Sequence, residues 1–311
     1  MFKRKTLSAI LALSLAAGAG IAEARDLKSI GITVGSLGNP FFVTIAKGAE
    51  AKAKEINPNV KVLAVSADYD LNKQFTQIDN FIASGVDLIL LNAADAKAIE
   101  PAVRKAQKAG IAVIGVDVAA AGADATVQTN NVQAGEVACQ YIVDKTGGKG
   151  NVIIQNGPQV SAVIDRVKGC KSVLAKAPGI KVLSDDQDGK GSREGGMDVM
   201  LGHLTRFQQI DAVFTINDPQ AIGTSLAAKQ LKRKTIITSV DGAPDIENAL
   251  KSDTLVEASA SQDPWAMAQK AVEIGVGVLN GKKPSSPMML LPSTLITRDN
   301  VGNYKGWSAP R

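Results

Sequence analysis

Residues 29–42, SIGITVGSLGNPFF, decide the fold. The first six residues form an apolar, β-branched run that predicts a strand, and residues 40–56 carry apolar side chains at the spacing of a helix. Glycine and polar residues separate the two segments. A nearly continuous apolar strand that runs into a helix is typical of a parallel sheet covered by helices on both faces.

The same alternation continues outward from this stretch. In the first half of the chain it predicts strands at 60–65, 88–91 and 112–116 and helices at 71–84 and 98–109. In the second half it predicts strands at 151–155, 181–183, 212–216 and 236–240 and helices at 132–145, 162–177, 195–205 and 221–231. The sequence therefore predicts an α/β protein with two doubly wound parallel-sheet domains.

The end of the chain predicts a return to the first domain. A helix at 244–251, a strand at 255–260 and a helix at 265–279 follow the second set of strands. The last of these helices has no further parallel strand after it in the pattern. We therefore expect the chain to cross back to the first domain before it ends.

Length, composition and charge exclude several classes of protein. The 311 residues correspond to about two domains, and 45% hydrophobic against 21% charged residues suffice for a sizeable core. The net charge of +5 is not clustered in a basic patch, so nucleic acid is not an expected partner. A single histidine and two cysteines do not make a His/Cys zinc site, although they leave a carboxylate metal site open.

The first 24 residues have the pattern of a secretory signal. Lys3, Arg4 and Lys5 precede an uncharged apolar run, which ends at Ala22-Glu23-Ala24. The run has about 15 residues, whereas a membrane-spanning helix needs about 20, which disfavours the alternative of a retained anchor. We expect residues 1–24 to be removed and residues 25–311 to be exported to the periplasm, where disulfides are tolerated.

Asn and Asp residues follow the predicted strands of both halves. Asn92 and Asp117 come after two strands of the first half, and Asn217 and Asp241 come after two strands of the second. Ligands of such sheets bind outside the carboxyl ends of the strands. Because each hydroxyl both donates and accepts a hydrogen bond, side chains that offer paired donors and acceptors suit a polyhydroxylated ligand.

With these motifs in order, the chain resembles the periplasmic sugar-binding proteins of the ribose-binding type, which are type I periplasmic binding proteins and the solute receptors of ABC importers. The resemblance covers essentially all of residues 25–311. The motifs that carry it are Asn39-Pro40-Phe41-Phe42, Asn92, Asp117, residues 161–169 with Asp165-Arg166, residues 212–218 and residues 241–245.

The resemblance implies two lobes joined by a three-segment hinge. It places the crossings near residues 129–130, 260–262 and 291–293. The N-terminal lobe is then residues 25–129 plus 262–291, and the C-terminal lobe is residues 130–261 plus 292–311. A ligand that gains contacts from both lobes only when they close would shift the open–closed equilibrium by that difference.

The resemblance also implies a set of ligand-binding residues: Asn39, Phe41, Phe42, Asn92, Asp117, Arg166, Asn217, Asp241 and Gln262. The charged members would form hydrogen bonds worth about 1.5–3 kcal/mol each, and the two phenylalanines would lie against the C–H face of a sugar ring. The alternative roles are core packing for the phenylalanines and turn or N-cap duty for the Asn and Asp residues. The implied partners are a monosaccharide or polyol and an inner-membrane ABC permease, and a chemoreceptor is a further partner that the family allows. We expect a monomer with no cofactor and no metal.

Two positions depart from the ribose-binding pattern. Val118 stands where that type has an arginine after the strand-end aspartate, and Gly191 stands where it has a third aromatic residue. These departures disfavour ribopyranose itself and favour a bulkier, open-chain or deoxy ligand. Trp265 is a candidate for a substitute wall, although core packing is the commoner role at its spacing. We expect the loop at 185–196 to decide the identity of the ligand.

Rival functions lack their motifs. The chain contains no G-x-G-x-x-G, no P-loop and no G-x-S-x-G, and the single histidine, His203, lies in mid-helix, where solvation or packing is expected. Two alternatives stay open: an exported carbohydrate-active hydrolase that uses Asp117 and Asp241, and a sensor core like that of the lactose repressor without its DNA-binding headpiece. Binding is favoured over hydrolysis because an arginine partner keeps carboxylates ionised, whereas an acid catalyst needs a raised pKa.

The two cysteines lie on consecutive predicted helices. Cys139 is on the first helix of the second half and Cys170 is on the next. Because consecutive right-handed βα units often place such helices side by side, we expect a disulfide between them. Two buried free thiols are the alternative.

Overall fold

The computed structural model describes residues 25–307, which form two six-stranded sheets with helices packed against them. The predicted signal segment, residues 1–24, lies outside the described residues. The predicted fold class, two parallel-sheet domains of α/β type, is confirmed.

The first sheet is parallel throughout. Its strands are β1 (Ser29–Val34), β2 (Lys61–Ser66), β3 (Leu88–Leu91), β4 (Ala112–Val116), β5 (Ala125–Thr129) and β11 (Met288–Leu291). From one edge of the sheet to the other, the strands follow the order β11-β5-β4-β3-β1-β2. All residues of β3, β4 and β5 are buried, as expected for central strands with helices on both faces.

The second sheet repeats this order with one reversed strand. Its strands are β6 (Lys149–Gln155), β7 (Gly179–Ser184), β8 (Ala212–Thr215), β9 (Ile236–Asp241), β10 (Val256–Ser261) and β12 (Leu295–Thr297). From one edge to the other, the strands follow the order β12-β10-β9-β8-β6-β7, and β12 is antiparallel to β10.

The helices connect successive strands. They are α1 (Pro40–Ile56), α2 (Leu71–Ala83), α3 (Glu100–Lys108), α4 (Asn131–Thr146), α5 (Ser161–Leu174), α6 (Arg193–Arg206), α7 (Asp218–Gln230), α8 (Pro244–Leu250) and α9 (Pro264–Leu279), and a short 3₁₀ helix covers Val301–Asn303. None of the described helices combines the length and the apolar character that a membrane span requires.

The described chain passes between the two sheets at three places. It leaves the first sheet after β5, returns to it after β10 through α9 and β11, and leaves it again between β11 and β12. The expected return of the last long helix to the first half is observed, because α9 packs against α1, β3, β4 and β5.

Helices α4 and α5 pack unusually closely. A Cβ atom at Gly135 would collide with the carbonyl oxygen of Arg166, and one at Gly169 would collide with that of Val132. One turn beyond this contact, the structure joins Cys139 to Cys170, with their Cα atoms 5.1 Å apart. The disulfide predicted from the sequence is therefore present, and it holds the helix that carries Arg166.

Candidate functional site

A cavity lies where the carboxyl ends of the two sheets face each other, and we call it the central cavity. Every ligand-binding residue predicted from the sequence lines it. The full set of lining residues is Asn39, Phe41, Phe42, Tyr69, Asn92, Asp117, Val118, Pro158, Val160, Ala162, Val163, Arg166, Gly191, Ile216, Asn217, Asp241 and Gln262.

Asp117 directly follows β4 and has one free carboxylate oxygen. Its Oδ2 accepts a hydrogen bond from Asn92 Nδ2 at 2.9 Å. Its Oδ1 is buried and has no hydrogen-bond partner among the described residues. Asn92 is itself fully engaged, because its Oδ1 accepts from Gly35 N and its Nδ2 also donates to Val116 O. Asn92 therefore orients Asp117, and Asp117 presents an unsatisfied acceptor.

Asp241 occupies the matching position at the end of β9. Its Oδ1 accepts from Gln262 Nε2 at 2.7 Å and from Arg166 Nη1 at 3.4 Å. Gln262 Oε1 accepts in turn from the hydroxyl of Thr129, at the end of β5 in the first sheet, at 2.8 Å. The hydrogen bonds of Asp241 thus reach across the crossings between the two sheets.

The guanidinium of Arg166 is held by α4 and by the end of β8. Its Nε donates to Asn131 Oδ1 at 2.8 Å, and its Nη1 donates to Ile216 O at 2.8 Å. The residue is 5% exposed, so this cation is fixed in place within the site. Asn131 stands at the start of α4, where no sequence motif marks it as a site residue.

Phe41 and Phe42 form an aromatic wall at the start of α1. Their rings meet edge to face, with centroids 5.4 Å apart, and both side chains are at least 96% buried. Core packing was the alternative role for these residues. Both roles are compatible here, because the rings belong to the apolar cluster around β1 and also line the central cavity.

Asn39 and Asn217 also act as the N-caps of helices α1 and α7. Asn39 Oδ1 accepts from Phe41 N at 2.9 Å, and Asn217 Oδ1 accepts from Gln220 N at 3.1 Å. The alternative N-cap role therefore holds for both residues. Asn217 Nδ2 donates to Gly191 O at 2.9 Å, which ties the predicted specificity loop to the end of β8.

The two positions that depart from the ribose-binding pattern line the same cavity. Val118 is 1% exposed and lies in one apolar cluster with Val160 and Val163 of the opposite sheet's half. Gly191 has φ of +62°, a conformation that disfavours residues with a side chain. An open cleft with several charged side chains adjoins the central cavity, and Gly191, Tyr69 and Asn39 line both.

Tyr69 supplies a third aromatic ring that the sequence analysis missed. It follows β2 and has φ of +57°, and its ring lies against Gly35, where any Cβ would collide with it. Burial, together with the nearby Asp117 and Asp241 carboxylates, raises the pKa of Tyr69, so its hydroxyl stays protonated and can donate. Trp265, a candidate for a substitute wall, is not among the residues that line the cavity.

Burial has the largest effect on the pKa values of the buried carboxyl groups in and beside the site. It raises the pKa of Asp117 and that of Asp241 to about 6, against the opposing effect of Arg166 on each. Burial and the neighbouring Asp241 also raise the pKa of Asp218, which accepts hydrogen bonds from Ser239 Oγ, Ser259 Oγ and Ala243 N. The expectation that Arg166 keeps both site carboxyls fully ionised is therefore wrong near pH 6, because desolvation outweighs the arginine.

Other chemistry finds little support in the described residues. His203 is buried in α6 and stacks on Phe207, with ring centroids 6.0 Å apart, so it has the packing role expected for it. Within residues 25–307, no cluster of three or more His, Cys, Asp or Glu side chains is arranged to hold a metal ion.

Comparisons with known proteins agree with this geometry. A family model described as periplasmic binding protein domain matches residues 30–283. The chain is 33% identical over 258 residues to a ribose import binding protein of Bacillus subtilis (strain 168), covering 82% of this chain and 83% of that protein. It is 34% identical over 294 residues to a xylitol-binding protein of Mycolicibacterium smegmatis, covering 92% of this chain and 82% of that protein.

A solved structure has the same fold. It is an ABC transporter solute binding protein from Bacillus halodurans C-125 with bound myo-inositol. The two chains are 26% identical and superpose with a TM-score of 0.81, over 90% of this chain and 97% of the other.

Proposed function

Because the chain belongs to the periplasmic binding protein family, we propose that it is the solute-binding component of an ABC importer and binds a monosaccharide or polyol in the central cavity. The predicted resemblance to the ribose-binding type is confirmed by the family match and the relatives. Proteins of this family are solute receptors and not enzymes, so the hydrolase alternative is abandoned.

One observation carries the choice of ligand class. Asp117 Oδ1 is buried, unpaired within the described chain and part of the cavity wall. A buried acceptor left unsatisfied costs about 1–3 kcal/mol, so the site calls for a donor from the ligand. A hydroxyl supplies that donor and can also accept from the Tyr69 hydroxyl or the Arg166 guanidinium.

The walls favour a ligand with one apolar face. Phe41, Phe42 and Tyr69 surround the cavity with aromatic rings, while Val118 and Val160 make another side of it apolar. A sugar or cyclitol ring presents C–H groups on one face and hydroxyls at its edge. The named ligands of the relatives, ribose, xylitol and myo-inositol, define the pentose, polyol and cyclitol classes to which we assign the ligand.

The lobes and the cellular location are parts of the same proposal. The N-terminal lobe is residues 25–129 plus 262–291, the C-terminal lobe is residues 130–261 plus 292–311, and they close around the ligand. The chain acts as a monomer in the periplasm and delivers its ligand to an inner-membrane permease. The distribution of strands between the two sheets and the names of the relatives support this assignment. An exported protein cannot serve as a cytoplasmic regulator, which is why we set the repressor-like alternative aside.

Calorimetry on residues 25–311 tests the proposal. We expect at least one of D-ribose, xylitol and myo-inositol to bind and to be recovered unchanged. Asp241→Ala should weaken that binding by at least about tenfold, because it removes a charged acceptor whose hydrogen bond to the ligand is worth about 1.5 kcal/mol or more. Asp253→Ala, which removes a fully exposed carboxylate, is the matched control. Failure of pentoses, polyols and cyclitols to bind, or their conversion to a product, would overturn the assignment.

A further inference from the structure

Trp307 lies directly behind the central cavity. The residue is 6% exposed, and its ring centroid is 5.5 Å from that of Phe41, with the planes at 65°. Its Nε1 donates a hydrogen bond to the carbonyl oxygen of Gln262 at 3.0 Å. Phe41 and Gln262 line the cavity, whereas Trp307 does not. Trp307 therefore contacts two residues of the site from outside it.

The two residues that Trp307 contacts lie on different elements of the chain. Phe41 is on α1, which packs on the first sheet, and Gln262 directly follows β10 of the second sheet. The side chain of Gln262 bonds Asp241 on one side and Thr129 on the other. A single indole thus fixes the aromatic wall and the residue that links the two sheets.

The chain that leads to Trp307 is also fixed against the site. Tyr304 Oη donates to Gly242 O at 3.0 Å, one residue after Asp241. Gly306 has φ of +60°, and a Cβ there would collide with the carboxylate of Glu247. The turn that brings Trp307 under Phe41 therefore requires glycine. We call residues 304–307 the C-terminal brace.

We propose that Trp307 is a positioning residue for ligand binding, and that the C-terminal brace sets the tilt of Phe41 and the position of Gln262. This inference rests on the proposed function, because it assumes that Phe41 and Gln262 contact the ligand. An edge-to-face neighbour restricts an aromatic ring to one orientation, and a buried indole N–H needs its acceptor in place. Trp307 supplies both restraints and acts only through the residues that it holds.

The chain offers a matched control, since its two tryptophans are Trp265 and Trp307. With whichever of D-ribose, xylitol or myo-inositol binds the wild type, we expect Trp307→Leu to weaken binding by about tenfold, the upper range for loss of one aromatic pair. Trp307→Phe should recover part of that loss, because it restores the ring but not the N–H donor. Trp265→Phe should bind as the wild type does. Urea unfolding midpoints show that each variant is folded.

Fluorescence separates positioning from general damage. If ligand binding shifts the residues that Trp307 contacts, it changes the fluorescence emission of Trp307. The emission change then survives in Trp265→Phe and disappears in Trp307→Phe. The proposal is overturned if Trp307→Leu binds like the wild type, or if the emission change survives in Trp307→Phe and is lost in Trp265→Phe.

A ligand-free measurement distinguishes failure of this inference from failure of the proposed function. In ¹⁵N spectra, the indole N–H of Trp307 should exchange with solvent far more slowly than that of the partly exposed Trp265, and Gly306→Ala should abolish that protection. If no solute binds the wild type, the proposed function fails while this result still tests the brace. An unprotected Trp307 N–H refutes the brace whatever the ligand.

Discussion

Asp117 and Asp241 show how much of the site resides in single residues. Both end a strand, both are buried, and both have positive φ, +70° and +141°. Such conformations cost about 1–3 kcal/mol each for a residue with a side chain. The surrounding hydrogen bonds hold the two aspartates in these conformations, so the protein retains carboxylates where glycine would relax the backbone. We attribute this to the ligand, since no group within residues 25–307 forms a hydrogen bond with Asp117 Oδ1.

The raised pKa of Asp117 predicts how stability depends on pH. Burial is the largest cause of the shift to about 6, whereas an unfolded aspartate titrates near about 3.9. Between these values the folded chain binds more protons at this carboxyl than the unfolded chain does. The free energy of unfolding contributed by Asp117 therefore falls as the pH rises from about 4 to about 7.

Thermal unfolding of the ligand-free protein checks this sign. We expect Asp117→Asn to raise the melting temperature relative to the wild type more at about pH 7.5 than at about pH 5, because it removes a carboxylate whose buried ionised form is unfavourable. Asp198→Asn on the exposed face of α6 controls for the loss of a negative charge. A larger gain at the lower pH would show that the shift has the opposite sign.

The residues that the sequence could predict are those at the ends of strands and in motifs. Asp117 and Asp241 directly follow apolar runs of sequence, so their positions at the ends of strands can be predicted without a structure. Tyr69, Asn131 and Trp307 carry no such signal, because each reaches the site through tertiary packing: Tyr69 through a turn after β2, Asn131 from a helix start, and Trp307 from the far end of the chain. The sequence also could not show that desolvation outweighs Arg166 at the two aspartates.

At the scale of elements, paired helices position the side chains of the second half. Glycines allow α6 and α7 to approach as closely as α4 and α5 do, because a Cβ at Gly223 would collide with the carbonyl oxygen of Arg193. In the α4–α5 pair, the close approach of the two helices, the disulfide and the hydrogen bond from Arg166 to Asn131 all lie within a few residues of one another. The placement of Arg166 therefore depends on how the two helices pack.

Removing the disulfide tests that dependence. We expect the double variant Cys139→Ser/Cys170→Ser to lose about 3–4 kcal/mol of unfolding free energy, since the crosslink closes a 31-residue separation in the unfolded chain. Ligand affinity should fall less than stability does, because Gly135 and Gly169 still let the helices meet. Urea unfolding checks the first value, with reduced wild-type protein as the control. Equal midpoints for oxidised and reduced wild type would show that the crosslink contributes nothing.

The elements that the sequence failed to predict are short or lie at sheet edges. Residues 125–129, ATVQT, form the buried strand β5 although polar side chains interrupt their apolar pattern. Strands β11 and β12 have four and three residues, and β11 is partly exposed. Such strands form because neighbouring strands offer backbone partners, which a local pattern does not record. The longer helices and central strands were predicted to within a few residues.

At the scale of the whole molecule, the two sheets are nearly equivalent. Their strand orders match position by position apart from the reversed β12. Asn92 and Asn217 follow equivalent strands, β3 and β8, while Asp117 follows β4 and Asp241 is the last residue of the equivalent strand β9. Each half therefore contributes an amide and a carboxylate to one cavity, and neither half alone supplies the full set of hydrogen-bonding groups. A ligand that needs both sets stabilises the closed arrangement.

Among the described residues, a direct hydrogen bond away from the crossings joins the two halves beside the cavity. Ala119 N, just after β4, donates to Ser161 Oγ at the start of α5 at 2.8 Å. Valines 118, 160 and 163 pack next to it. In the closure proposed above, these contacts would form as the halves approach each other, so they would stabilise the closed form without touching the hinge. They should therefore affect how long the ligand stays bound and not how fast it arrives.

Ser161→Ala isolates that effect. Losing a hydrogen bond worth about 1 kcal/mol should speed ligand dissociation by about fivefold while the association rate stays constant, because association occurs to the open form. Ser172→Ala is the matched control, since its hydroxyl bonds only within α5, to Gly169 O. Stopped-flow mixing measures both rates, and small-angle X-ray scattering should show the same ligand-induced decrease in radius of gyration in all three proteins. If the variant slows association and leaves dissociation unchanged, the Ser161 contact forms before the ligand binds. If scattering shows no decrease even in the wild type, the two halves do not close around the ligand.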